Sequence, residues 1–266
     1  MFERVSRRPD AGDYVRLVFV FAIFLVPIIV LLAGSLTARA DGSFSLRAWG
    51  YLVDERRSVI RALVSSLGFG FGAIGVAFVC CVLPAKTIAR SRHRSVAVVE
   101  AVLLTPALLP SITFAIGVHQ LFIRLGLVDT WFGVLLVLSF VSYPYMLRAL
   151  VASYESIDPA YEQCARNLGA GPMRTFMLVE LPFLLPGAAA GGSVVFLVAF
   201  ADYFLVFLIG GGVVPAFTSY LVPFIRSADY SVAGALSIVF LFFPIVLFVA
   251  QDRALSVLLR RRGIPV

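Results

Sequence analysis

Charge is scarce in this 266-residue chain: Asp, Glu, Lys and Arg together make up 14%, while 61% of the residues are hydrophobic and the mean hydropathy is +0.98. That leaves too little polar surface to cover a soluble globule of this size, so the chain belongs in lipid. Lysine is nearly absent, Lys86 being the only one. A phosphate-binding loop needs Gly-x-x-x-x-Gly-Lys-Ser/Thr, so that backbone amides cradle the phosphate and the lysine reaches it. Thr87 follows Lys86, but the two glycine positions hold Cys80 and Ala85. The chain therefore carries no such loop and is not expected to be an enzyme. Cysteine and histidine are equally sparse. Cys80 and Cys81 are adjacent in an apolar run and Cys164 lies far from them. No disulfide framework and no zinc spacing is present, and the thiols read as small apolar fillers.

Long uncharged stretches take the place of charge. A helix needs about 20 residues to cross roughly 30 Å of hydrocarbon, and six such runs can be read, at residues 17–36, 62–83, 99–123, 130–147 with an extension to 154, 184–209 and 232–249. They are too long for membrane strands and lack sustained alternation, and in lipid only helices or closed barrels satisfy the backbone. The expectation is an all-α polytopic membrane protein with six transmembrane helices. Residues 1–16 form an N-terminal tail, 17–250 a single transmembrane domain, and 251–266 a C-terminal tail.

Lys and Arg, rather than net charge, set orientation. With an even number of spans the termini share a side, and fifteen of the 22 basic residues fall there, among them Arg7, Arg8, Lys86, Arg90, Arg166 and Arg174. The other seven are Arg39, Arg47, Arg56, Arg57, Arg61, Arg124 and Arg226. Both termini are thus expected in the cytoplasm. The net charge of +7 is mostly this topological signal, and no nucleic acid is expected as a partner. Arg7-Arg8, the first apolar run and Ala38-Arg39-Ala40 imitate a cleavable signal peptide. The run exceeds the roughly 7–15 residues of a signal core, so the first span is expected to be retained.

Two connecting loops are long enough to carry function: an inner one at residues 155–183 and an outer, Gly-rich one at 210–230. The other connections are an outer segment at 37–61, an inner basic hairpin at 84–94 and a short outer turn at 126–129. In the inner loop Asp158-Pro159 starts a helix well. Residues 161–168 continue it, with Cys164, Ala165 and Leu168 as an apolar strip beside the polar Glu162, Arg166 and Asn167. Gly169 supplies a position that can take positive φ and end the helix. A second short helix follows at 173–181, before Pro182 and Pro186 break into the next span. Such a pair either inserts into another protein's groove or merely connects two spans.

The stretch Gln163-Cys164-Ala165-Arg166-Asn167-Leu168-Gly169-Ala170, followed by Leu181-Pro182 and Leu185-Pro186-Gly187, resembles the cytoplasmic "EAA" loop of type I binding-protein-dependent ABC importer permeases. That pattern reads E-A-A-x-x-L-G and, further on, a hydrophobic residue and Leu-Pro. Its Glu falls on Gln163, its two Ala on Cys164 and Ala165, and its Gly on Gly169; Glu162 stands one residue before the missing acid. Further marks follow in the family's order: Ser45-Leu46-Arg47 with Ser65-Ser66, Thr105-Pro106 with Leu109-Pro110, Tyr143-Pro144 before Arg148, and Phe200-Ala201-Asp202-Tyr203-Phe204 before Gly210-Gly211-Gly212. The last of these are most similar to the polyamine, thiamine, iron and phosphonate importer group.

The resemblance implies a permease subunit of the bacterial inner membrane. Glu162, Gln163, Cys164, Ala165, Leu168, Gly169 and Ala170 would form the loop that docks on an ATP-binding subunit, present as a dimer. That partner would bind ATP and Mg, with no cofactor in this chain. A second permease subunit, usually a different chain, would complete the path, and an extracytoplasmic binding protein would deliver a small solute of polyamine or phosphonate type.

Polar groups within the spans add candidates, because a carboxylate at mid-membrane costs about 2.5–3.5 kcal/mol. Asp202 interrupts the fifth run and His119-Gln120 sit late in the third. They either line the translocation path or outer gate, or make interhelical hydrogen bonds. Gly68 with Gly72, and Gly187 with Gly191, have the spacing that lets helices approach closely. The competing class is an ion-coupled secondary transporter acting alone, which would be expected to show more buried carboxylates or inverted repeats than Asp202 alone suggests.

Overall fold

The computed structural model describes residues 11–38, 43–91, 93–108 and 111–261. In chain order the helices are α1 (Ala11–Ser35), α2 (Arg47–Asp54), α3 (Arg56–Arg90), α4 (Arg94–Leu104), α5 (Ser111–Leu125), α6 (Trp131–Ser156), α7 (Pro159–Asn167), α8 (Pro172–Thr175), α9 (Leu181–Ala201), α10 (Phe204–Gly210), α11 (Phe217–Arg226) and α12 (Tyr230–Arg261). A 3-10 turn, Thr105–Ala107, follows α4, and a π turn, Phe176–Glu180, joins α8 to α9. Among the described residues there is no strand, only an isolated bridge between Thr37 and Phe44.

Five helical stretches are long and apolar enough to cross a membrane: Gly12–Ser35, Arg56–Arg90, Trp131–Ser156, Pro172–Ala201 and Tyr230–Val257. The architecture is the all-α membrane type expected, with corrections where the chain bends. The third expected span, 99–123, is two shorter helices: α4 stops at Leu104, a turn containing Pro106 follows, and α5 starts at Ser111. Pro106 has no N–H to offer the preceding turn and its ring crowds the helix. Leu109-Pro110 lie outside the described residues. The fifth span ends at Ala201, where Asp202 turns extended (φ −72°, ψ 119°) before α10 begins.

Two further boundaries differ. Pro182 and Pro186 do not break the helix, and α8, the π turn and α9 run on as one 30-residue stretch. The wider π turn immediately before Pro182 makes room for a ring that lacks an N–H. Helix α3 is 35 residues long and takes in both flanks of the expected 62–83 span, so that residues 84–90 are helix rather than hairpin. An uncharged run stops at the first Arg, whereas a helix continues past it because long basic side chains bend out toward the polar side.

Contacts divide the chain into two compact units, residues 1–56 with 221–242, and 57–220 with 243–266. In the first, Gly234 lets α12 lie against the end of α1, since a Cβ there would come 3.0 Å from the Leu31 carbonyl oxygen. Arg47 donates to both Asp229 oxygens at 2.8 and 2.9 Å and to Ser231 at 3.2 Å. In the second unit α6 is central, with buried residues along its whole length from Gly133 to Tyr154. Its residues Val134, Leu138, Ser142, Met146, Leu150 and Tyr154, each four apart, form one buried ridge. Small residues bring the neighbours close to it: a Cβ on Gly72 of α3 would lie 2.8 Å from Leu135, and one on Gly191 of α9 2.7 Å from Ala149. Close packing of this kind is how helices associate where lipid removes the hydrophobic drive between them.

Candidate functional site: the α7–α8 loop

Helix α7 starts where its sequence provides a cap. The Ala160 N–H donates to Asp158 Oδ1 at 2.8 Å, and Pro159 occupies the first turn, where a missing N–H costs nothing. The helix closes in a Schellman motif. Ala170 N–H donates to the Ala165 carbonyl at 3.0 Å and Gly169 N–H to that of Arg166 at 2.9 Å, with Gly169 at φ +82°. A Cβ on Gly169 would meet nothing within 4 Å, so backbone conformation rather than space requires glycine here.

The buried face of α7 is acidic, and the strip of Cys164, Ala165 and Leu168 faces outward. Glu162 is buried, whereas Gln163 and Cys164 are exposed, Ala165 and Ala170 half-buried, and Leu168 is 84% exposed. The reason is a set of charges at the end of α3. Lys86 Nζ lies 2.8 Å from Glu162 Oε2 and 2.6 Å from Glu180 Oε1, and Arg90 lies 2.9 Å from Glu162 Oε1. Arg90 also donates to the Ile157 carbonyl at 2.8 Å, and the Tyr154 hydroxyl donates to Glu180 Oε2 at 3.1 Å. One network of two cations, two carboxylates and a phenol thus joins the last turns of α3 and α6 to α7 and the π turn. Burial alone would raise the Glu162 pKa, but the hydrogen bonds from Lys86 and Arg90 outweigh it and hold the carboxyl below its ordinary value. Buried charges persist only when paired in this way. Sequence reasoning did not single out Lys86, Arg90, Tyr154 or Glu180 for this role. The available signal was the lone lysine one helical turn before Arg90, with Glu162 and Glu180 among the acids of the loop that follows α6.

The outward face carries a groove of about 240 Å³ lined by Ala165, Leu168, Ala170, Arg174, Thr175 and Leu178. Met173 and Leu178 are exposed around it, 68% and 65%. Thr175 Oγ1 is buried and has no hydrogen-bond partner among the described residues. An apolar rim around a buried, unused hydroxyl is suited to receive a side chain of another protein.

The remaining sequence candidates lie elsewhere. Asp202, half-buried, accepts from the Leu205 N–H at 2.7 Å and so caps α10, while its carbonyl accepts from the Thr218 hydroxyl at 3.2 Å. On α5 His119 is half-buried and Gln120 exposed. No hydrogen bond joins His119 to Asp202 among the described residues, and neither belongs to the charge network of the loop.

No protein-family model matches the chain. It is similar to the molybdenum transport system permease protein ModB of Mycobacterium bovis, 34% identical over 134 residues that cover 44% of this chain and 51% of that protein. It is also similar to the sulfate transport system permease protein CysT of Salmonella typhimurium, 31% identical over 115 residues and 42% of each chain. The chain spans about half the length of the curated relatives it matches. Among solved structures, a bacterial ABC transporter involved in the import of the acidic polysaccharide alginate matches with a TM-score of 0.73 at 18% identity, over 93% of this chain and 99% of that one. Over about half of its length the chain is thus similar to permease proteins of molybdenum and sulfate transport systems, and its overall fold is that of a solved ABC transporter chain.

Proposed function

We propose that the chain forms part of the translocation path of an ABC importer and that α7–α8 docks on a separate ATP-binding subunit. The observation that carries this is the two-sidedness of the loop: outward it offers the groove around Thr175, and inward Glu162 and Glu180 are fastened to the end of α3. ATP-driven closure of the partner would pull on the groove. The charge network would hand that pull to α3 through Lys86 and Arg90, and to α9 through Glu180. ATP and Mg belong to the partner. A second permease subunit and an external binding protein complete the assembly, and the α7–α8 side is cytoplasmic, with the chain in the inner membrane. Asp202 and His119 remain candidates for the path, Asp202 through the helix break it stabilises.

The solute reading shifts from the polyamine or phosphonate class. The relatives are named for molybdenum and sulfate, which favours a small tetrahedral oxyanion.

Leu168→Arg tests the docking role at a site whose side chain is almost wholly in solvent. In the full complex it should lower solute-stimulated ATP hydrolysis about tenfold or more and release the ATP-binding subunit during purification, a loss of at least roughly 1.4 kcal/mol of contact. Unchanged coupling in this variant, or uptake by the chain in vesicles without any ATP-binding subunit, would overturn the assignment.

A further inference from the structure

At the other end of α3 lies a cavity of about 850 Å³, lined among others by Arg57, Arg61, Val64, Ser65, Trp131 and Pro215. Arg57, Arg61 and Ser65 are four residues apart and therefore share one face of the helix, with Cβ atoms of successive members roughly 6 Å apart. Both arginines are exposed, and neither has an ion-pair partner among the described residues. The opposite wall is fixed. The Trp131 indole N–H donates to Ser65 Oγ at 3.1 Å, its ring stacks on Phe69 at 5.0 Å, and Gly68 leaves the space it needs, since a Cβ there would come 3.0 Å from the ring. Because Ser65 accepts from the indole, its own hydroxyl hydrogen remains free to donate into the cavity.

We propose that this cavity collects a tetrahedral oxyanion, held by the guanidinium groups of Arg57 and Arg61 and by the Ser65 hydroxyl. Planar guanidinium groups match the oxygen pairs of such anions bidentately. Two of them one turn apart offset a dianion, and the apolar walls of Val64, Trp131 and Pro215 focus their field into the cavity. Position supports the assignment. Arg61 and Lys86 are separated by about 38 Å along α3, more than the hydrocarbon thickness, so the cavity opens on the membrane face opposite α7. As a stage in solute uptake, the site rests on the function proposed above; as an oxyanion site, it stands on its own geometry.

Equilibrium binding of labelled sulfate and molybdate to the full chain in phospholipid-free detergent tests it. Saturable binding should weaken with ionic strength and fall about tenfold or more in the Arg57→Gln/Arg61→Gln variant, with partial recovery in Arg57→Lys/Arg61→Lys. In lipid nanodiscs, native mass spectrometry distinguishes a headgroup source. Phosphatidylglycerol retained by the wild type and lost from the glutamine variant would assign the same site to a lipid phosphate. Equal retention of free anion and lipid by both proteins would overturn the proposal. Uptake by the complete transporter separates the two readings: an unchanged KM in the glutamine variant removes the site and leaves the function, whereas anion binding by a wild-type complex that imports no oxyanion keeps the site and removes the solute reading.

Discussion

At one end of α3 Lys86 and Arg90 face Glu162 and Glu180 within 2.9 Å, whereas at the other Arg57 and Arg61 line an open cavity without an ion-pair partner among the described residues. The same helix therefore uses its cations in two ways. Where they are half-buried and paired, they hold the loop in place and have little left to offer a ligand. Where they are exposed and unpaired, holding structure is not their role, and an anion is what they are suited to meet. The pairing state of a charge thus separates a mechanical role from a recognition role on one element.

The largest effect should come from breaking the paired end. Lys86→Met leaves the Glu180 carboxylate buried beside Tyr154 with no cation, and should destabilise the purified chain by about 3 kcal/mol in a chemical unfolding titration. Adding Glu180→Gln to that variant should recover part of the loss; no recovery would mean that the lysine acts through packing and not charge. Protons probe the same end. Glu162 has a folded-state pKa below the ordinary 4.5, so its contribution is complete above that value and disappears as pH falls through the lower folded value. Unfolding midpoints followed from pH 6 downward should drop more in the wild type than in Glu162→Gln.

Next in size is the turn that ends α7. Gly169→Val forces a β-branched residue into positive φ at a cost of about 1–2 kcal/mol, while Gly169→Asn should lose only a fraction of that. If the two variants unfold alike, the glycine is not required by conformation. Asp202→Ala removes the α10 cap and should cost about 1 kcal/mol. The smallest stability change belongs to the unpaired end of α3, where Arg57→Gln with Arg61→Gln should stay within about 0.5 kcal/mol of the wild type in the same titration. A large loss there would erase the contrast between the two ends.

Hydropathy made most of the helical architecture legible, because transfer of long apolar runs to lipid decides where helices lie. It missed the break after Leu104 and the restart at Phe204, since backbone hydrogen bonding at Pro106 and a side-chain cap from Asp202 leave hydropathy almost unchanged. The loop was legible through Asp158, Pro159 and Gly169, whose effects are local. The pairing that buries Glu162 was not, because its partners lie 72 and 76 residues earlier in the chain. Glu180 meets Lys86 from 94 residues away, a juxtaposition that exists only once α3 and α9 have packed on α6.

The π turn Phe176–Glu180 sets how the loop is aimed. It holds one residue more per turn than its α-helical neighbours, so deleting a single residue there would let the helix rewind and swing α7 about 100° around the axis of α9. The interval between Gly171 and Pro182 is therefore a fixed length: the chain can exchange many of its side chains there, but it can neither gain nor lose a residue and still point the groove and Glu180 in their present directions.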